Sequence, residues 1–338
     1  MSKSVEYRRL GATGLKISVP VLGAMSFGSP EWNSWVLGEE PSLEILKAAW
    51  DRGINTIDTA NLYSNGESER IIGVFLEKYN IPRHQIIIAS KCYGLVADKP
   101  GIRAYADPSL HDHRQYVNQR GLSRAAIFNA VDASLQRLKT SYLDLLQIHR
   151  YDPDVPAEET MKALHDLVQS GKVRYIGASS MRAWQFAHLN EVAARNGWTK
   201  FVSMQNEYSL LYREEEREML AYCKFNGIGV IPWAPLAAGV LARPLDAAET
   251  TRSSGSTSTK SEADKAIISR VEELAKKRGV SMAQIALAWI SGKIDSPIVG
   301  TSSIQRLEEN IPSGLVLDDE EVKYLEEPYV PKPVRGHA

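Results

Sequence analysis

The chain has 338 residues, of which 43% are hydrophobic and 24% charged, and its net charge is −1. That balance is typical of an ordinary globular protein and leaves no electrostatic footprint for nucleic acid or an anionic membrane surface. Two cysteines, Cys92 and Cys223, argue against a disulfide framework and fit a reducing compartment.

The opening residues, MSKSVEYRRLGATGLK, lack the apolar core of a secretory leader. No apolar run approaches the ~18 residues of a membrane span. The expectation is a cytoplasmic protein in which residues 1–338 form one domain. Within this start, YRRLGATGLKIS (7–18) sets a glycine-rich centre between two short strand-like pieces and reads as a β-hairpin.

Short apolar runs then alternate with amphipathic stretches. The strand candidates are VPVLGAM (19–25), INTID (54–58), QIIIASK (85–91), YLDLLQIH (142–149), KVRYIGASS (172–180), FVSMQNE (201–207), IGVIPW (228–233) and SPIVGTS (296–302). None alternates cleanly, the pattern of strands buried on both faces of a parallel sheet. Helices are expected between them. PSLEILKAAWDRG (41–53) opens with a proline and a serine cap, and ESERIIGVFLEKY (67–79) is preceded by Ser64 or Asn65 as cap. Further helices are expected over 121–138 with Ser123 as cap, over 158–172 and 213–227, and as a final pair over 262–279 and 281–292. Eight such units predict a closed (β/α)8 TIM barrel with the hairpin plugging its bottom. Two long loops, 92–121 and 250–261, follow strand C-terminal ends, the side on which barrel active sites lie.

Polar residues gather at those ends. Asp58 closes the second strand with Tyr63 five residues on, Lys91 closes the third and His149 the fourth. Alone, each has a plain reading: a turn carboxylate, a loop phenol, a lysine snorkelling to the rim, a core histidine. Together they make an acid. A phenol with a pKa of about 10 donates poorly near neutrality, but a nearby ammonium favours its anion. A carboxylate can aim that ammonium, and an imidazole can hydrogen-bond a substrate oxygen. The set can polarise a carbonyl and protonate the developing alkoxide. It has no hydride of its own, so a nicotinamide cofactor is implied. No G-x-G-x-x-G follows a strand, which removes the main support for a Rossmann domain.

Taken in order, YRRLGATGLKIS, GINTIDTANLYSNGESERIIG, IIIASK, DLLQIHRYD, GKVRYIGASSM, MQNEYSLL, IPWAPLAAGVL and IVGTSSIQRLEEN resemble the motifs of the aldo-keto reductase superfamily over nearly the whole chain. The resemblance is strongest to its fungal and bacterial aryl-alcohol dehydrogenase-like and versiconal-reductase-like branch. It implies Tyr63 as general acid, Lys91 lowering its pKa, Asp58 orienting Lys91, and His149 orienting the carbonyl. It implies an NADPH/NADP+ site in which Ser179, Ser180 and Gln205 hold the nicotinamide carboxamide. Trp233 would stack on the ring, Leu236 and Gly239 would line the pyrophosphate, and Ser302, Arg306, Glu309 and Asn310 would meet the adenosine end. Gly300 and Thr301 stand where many members have other residues, Gly300 in place of a phosphate-binding lysine.

Met25, Phe27, Trp32, Trp35 and Tyr93 lie on loops beyond strands and could form an apolar pocket for a small-molecule carbonyl substrate, with core or lid packing as the plain alternative. His111 and His113 form an H-x-H without an apparent third ligand, so no metal is expected. The reading is NADPH-dependent reduction of aldehydes and ketones, with aromatic and bulkier polyketide-type carbonyls favoured. The rivals are alcohol oxidation and a cofactor-binding regulatory subunit with slow catalysis. Sequence leaves the oligomeric state open.

Overall fold

The computed structural model describes residues 5–247, 260–311 and 314–337. The loop expected at 250–261 therefore lies, apart from its last two residues, outside the described residues. The chain begins with an antiparallel hairpin, β1 (Glu6–Arg9) and β2 (Lys16–Val19). Next come β3 (Val21–Gly23), α1 (Glu39–Asp51), β4 (Thr56–Asp58), α2 (Glu67–Lys78), β5 (Ile87–Cys92), α3 (Arg124–Leu138), β6 (Leu143–Ile148) and α4 (Ala157–Gln169). They are followed by β7 (Val173–Ser179), α5 (Ala183–Arg195), β8 (Ser203–Gln205), α6 (Met219–Phe225), β9 (Gly229–Val230), α7 (Glu262–Arg278), α8 (Met282–Ser291), β10 (Ile298–Gly300), α9 (Ile304–Asn310) and α10 (Asp319–Glu326).

The eight strands β3 to β10 are parallel neighbours in the order β10-β3-β4-β5-β6-β7-β8-β9. The ends of that row meet. Asp295 N–H donates to Val230 O at 3.1 Å and Ile298 N–H to Pro232 O at 3.0 Å, which joins β9 to β10. This is the (β/α)8 barrel that the strand rhythm predicts, and all eight strand candidates fall on it. The interior is layered. Val21, Ile87, Ala89, Leu145, Ile231 and Ile298 fill the lower part, and Leu10 and Ile17 of the hairpin press into the same cluster as the plug. Gly11 makes that approach possible. Its φ is +54°, and a Cβ there would stand 2.4 Å from the backbone nitrogen of Gly229. The larger core lies between strands and helices.

Several helix starts follow local chemistry. Ser123 caps α3 by accepting from Ala126 N, and Ser261 and Ser281 form capping boxes with Asp264 and Gln284 at α7 and α8. Two expected caps do not stand. α1 begins at Glu39, ahead of Pro41, so Ser42 lies in its first turn and donates back to Gly38 O at 2.6 Å. The residue preceding α2 is Gly66, with no side-chain cap, while Ser64 and Asn65 are engaged elsewhere. Among the described residues no helix is long and apolar enough to cross a membrane. Both cysteines are free and buried, and burial pushes each thiol up to about 12.

Candidate active site

Alternation along β4, β5, β6 and β8 turns one polar side chain from each into the barrel above its apolar lower layer. Lys91, at the end of β5, is wholly buried. Its ammonium donates to Asp58 Oδ1 at 2.5 Å, to the carbonyl of Thr59 at 2.9 Å and to the Tyr63 hydroxyl at 3.3 Å. The second carboxylate oxygen of Asp58 accepts from Gln147 Nε2 at 2.9 Å and Gln205 Nε2 at 2.8 Å, and Gln205 also donates to Gln147 Oε1 at 2.8 Å. A buried charge pair is costly unless its remaining lone pairs and protons are met; here the two glutamines meet the lone pairs of Asp58, and the Thr59 carbonyl and Tyr63 hydroxyl meet the protons of Lys91. Gly177 of β7 leaves the room they need. A Cβ there would come within 2.3 Å of Ser203 Oγ and 3.2 Å of Gln147 Cγ.

Tyr63 reaches this pair from a short turn beyond β4, and His149 follows directly on β6, its N–H donating to Cys92 O at 2.9 Å. Their rings meet edge to face with centroids 6.0 Å apart. The four residues expected to form the acid are thus brought together. Their proton affinities are displaced. Burial drives His149 well below the ordinary histidine range, helped by the charges of Lys91 and Arg150, so it stands neutral near pH 7. Burial raises the Tyr63 phenol above its ordinary value, and the Lys91 ammonium offsets only part of that rise. Lys91 thus acts on the phenol in the expected downward direction, and burial, the larger effect, acts against it. Burial acts to lower Lys91, yet the Asp58 and Tyr63 interactions leave it raised, so it is charged.

Around the ring from this acid, Ser179 and Ser180 are buried at the end of β7. Ser179 Oγ donates to Gln205 O at 2.7 Å, and Ser180 N–H donates to Asn206 Oδ1 at 2.8 Å, with Ser180 at φ +47°. Trp233 is half-buried, and its indole N–H donates to Ser180 Oγ at 3.1 Å. Leu236 begins a turn with three left-handed positions, Ala237, Ala238 and Gly239, and no atom stands near where a Gly239 Cβ would lie. Both amide hydrogens of Gln205 are taken within the barrel. Ser302 and Arg306 are exposed at the start of α9 with guanidinium and hydroxyl 2.9 Å apart. Glu309 accepts from Gln305 at 3.3 Å, and Asn310 is buried.

The residues proposed for a substrate pocket divide. Met25 is exposed, Trp35 and Tyr93 are half-buried, and Phe27 and Trp32 are buried, Phe27 fully and within the main core. Trp32 meets Trp35 and Tyr105 edge to face. His111 and His113 lie on the insertion, and among the described residues no group of three or more His, Cys, Asp or Glu could hold a metal. Sequence reasoning missed Gln147; its place two residues before His149 on an apolar strand puts it on the same face and could have signalled it. Glu215, hydrogen-bonded to Asn206 behind Ser180, was missed as well.

A family model described as the aldo/keto reductase family matches residues 21–329. An aldo-keto reductase of Fusarium vanettenii is 53% identical, covering 99% of this chain and 94% of its own. The versiconal hemiacetal acetate reductase of Aspergillus parasiticus is 51% identical, covering 98% of each chain. A Schizosaccharomyces pombe protein whose name assigns it provisionally to the aryl-alcohol dehydrogenases is 53% identical, over 98% of this chain and 97% of its own.

Proposed function

The chain belongs to the aldo/keto reductase family, oxidoreductases acting on carbonyl and alcohol groups, and from that premise we propose that it reduces aldehydes and ketones to alcohols with NADPH. The observation that carries the reading is the Lys91 ammonium, bonded at once to Asp58 and to the Tyr63 hydroxyl. When bound, a reduced nicotinamide supplies the hydride that the carbonyl carbon receives. Everything else falls to this chain's side chains.

Tyr63, protonated at neutral pH as a phenol ordinarily is and kept so to higher pH by burial, gives its proton to the carbonyl oxygen as negative charge develops there. The phenolate left behind faces a charged Lys91, so the ammonium acts most strongly once the proton has gone. That is stabilisation of the transition state rather than of the resting enzyme. Asp58 aims Lys91, and Gln147 and Gln205 aim Asp58. Neutral His149 offers a ring N–H to the same carbonyl oxygen and holds it against Tyr63. In reverse, the Tyr63 anion accepts the proton of an alcohol.

The residues beside this acid fit a dinucleotide. Ser179 and Ser180 present hydroxyls for a carboxamide, and Gln205 retains only its carbonyl oxygen for that purpose, as an acceptor. Trp233 offers an indole face beside Ser180. The left-handed turn through Gly239 leaves backbone free of side chains, as a pyrophosphate cradle requires. The Arg306 guanidinium beside Ser302 suits a 2′-phosphate and favours NADPH over NADH, and Glu309 and Asn310 would meet the adenosine end. Met25, Trp32, Trp35 and Tyr93 would face the substrate, with aromatic and bulkier carbonyls expected, and Phe27 would support that wall from within.

A panel of aldehydes and ketones, followed by loss of NADPH absorbance, tests the proposal. Turnover on several aromatic aldehydes, faster with NADPH than with NADH, is expected; binding of NADPH without turnover on any of them would defeat it. The name of the Schizosaccharomyces pombe relative favours a second reading, net alcohol oxidation. Comparing NADPH plus aldehyde with NADP+ plus alcohol at neutral pH separates the two.

A further inference from the structure

Tyr63 is followed by two non-glycine residues in the left-handed region, Ser64 at φ +50° and Asn65 at φ +52°, before Gly66 at φ +93°. Such positions cost free energy and persist where surrounding contacts over-determine them. Both side chains show those contacts. Ser64 is wholly buried, and its Oγ accepts from Ser29 N–H at 3.2 Å, on the loop between β3 and α1. The carboxamide of Asn65 is spent on the long insertion after β5. Its nitrogen donates to Ile102 O at 2.7 Å and Lys99 O at 2.8 Å, with Pro100 O at 3.4 Å, and its oxygen accepts from Ala97 N–H at 3.2 Å.

The insertion is a unit with a small core of its own, built on Leu95, Ala97, Ala104 and Tyr116. It leans on the acid turn from the other side too. A Cβ at Gly94 would stand 3.0 Å from Leu62, the residue before Tyr63. It also joins the β3–α1 loop: Arg103 Nε donates to Trp32 O at 2.9 Å, and the Tyr105 and Trp32 rings meet at 5.8 Å. The two loops that rise beside the acid are therefore each tied by a hydrogen bond to the residues immediately after it.

We propose that Ser64 and Asn65 are a clasp that fixes both walls of the substrate site to the turn carrying Tyr63, and that Asn65 is the specificity-determining residue of this enzyme. It rests on Tyr63 being the acid, as proposed above. Residues 97–102 are largely at the surface, so water competes for their carbonyls. One amide that answers several of these backbone groups at once holds the wall in one position, and that position limits the size and aim of the carbonyl compound presented to Tyr63. Asn65 touches no reacting atom; it acts through the wall.

The test uses Asn65→Gly and Asn65→Asp in the full chain. Glycine keeps the left-handed turn without strain and removes every side-chain bond. Aspartate keeps the acceptor for Ala97 N–H but sets a carboxylate against carbonyl oxygens. In both variants, amide hydrogen exchange over 95–104 is expected to quicken by about tenfold or more while β5 is unchanged. The preference in kcat/KM for a bulky aromatic aldehyde over a small aliphatic one should fall by about tenfold, through KM rather than kcat. Unchanged exchange, or an unchanged preference, overturns the proposal. A wild-type protein without turnover defeats the reductase reading instead, and the exchange measurement still decides the clasp.

Discussion

His149 and Tyr63 touch across the barrel mouth, yet burial drives their pKa values apart, the imidazole down and the phenol up. The sign of each sets a pH profile. An acid works while protonated, so the contribution of Tyr63 is present below its pKa and lost above it, and that loss is displaced beyond pH of about 10. A histidine held neutral shows no charge change near its ordinary value of about 6.5. The kcat/KM for carbonyl reduction is therefore expected to be level between about pH 6 and 9. A profile measured with NADPH and one aldehyde checks this, and an inflection near 6.5 would show His149 titrating. At this scale the sequence was legible where a polar residue ended an apolar run, as with Asp58, Lys91 and His149. It was not legible where a partner depends on register across the barrel. Nothing local to Gln205 says that its amide is committed to Asp58 and Gln147 from two other strands. Asn65 misled for a related reason. It reads as a helix cap, but its partners lie more than thirty residues onward.

Among the elements, α2 shows how the acid turn is anchored. Glu69, fully buried in its first turn, accepts from Ser90 Oγ of β5 at 2.5 Å and from Arg137 Nε of α3 at 2.8 Å. Arg137 reaches it by passing under Gly66, where a Cβ would stand 2.6 Å from its Cδ. Ser68 Oγ donates to Ala24 O at 2.8 Å and meets Thr59 Oγ1 at 2.8 Å. The acidic residues after Tyr63 thus include one whose work is to bind α2 to its neighbours. Arg137→Met keeps bulk but leaves the Glu69 carboxylate buried without its cation, which is expected to cost about 3–5 kcal/mol. Urea unfolding with an unchanged slope checks it; a loss below about 1 kcal/mol would show that water replaces the guanidinium. The sequence foretold the helix from its amphipathic spacing. It concealed this ion pair, because Glu69 and Arg137 belong to different helices and either could have been a solvated surface charge.

For the whole molecule, the eightfold rhythm of strand and helix was the most legible property, since a buried parallel sheet needs both apolar strands and covering helices. The insertions and the closing segment were the least legible, because their places are set by surfaces rather than by periodicity. Residues 329–337 cross the outside of the β8 end: Tyr329 OH donates to Glu214 at 2.7 Å, Arg335 pairs with Glu207 at 2.7 Å, and His337 meets Glu215 at 2.8 Å. They back the same wall that carries Asn206, Ser180 and Trp233. The barrel thereby draws four residues from three strand ends to one point, and the central claim is that this point is an acid with Tyr63 as donor. Tyr63→Phe removes one oxygen and leaves the Lys91–Asp58 pair in place. Single-turnover reduction of an aromatic aldehyde by the NADPH-loaded variant measures that step alone. The account predicts that NADPH affinity is retained while hydride transfer slows by about 10²–10⁴-fold; near-normal transfer by the phenylalanine variant would contradict it.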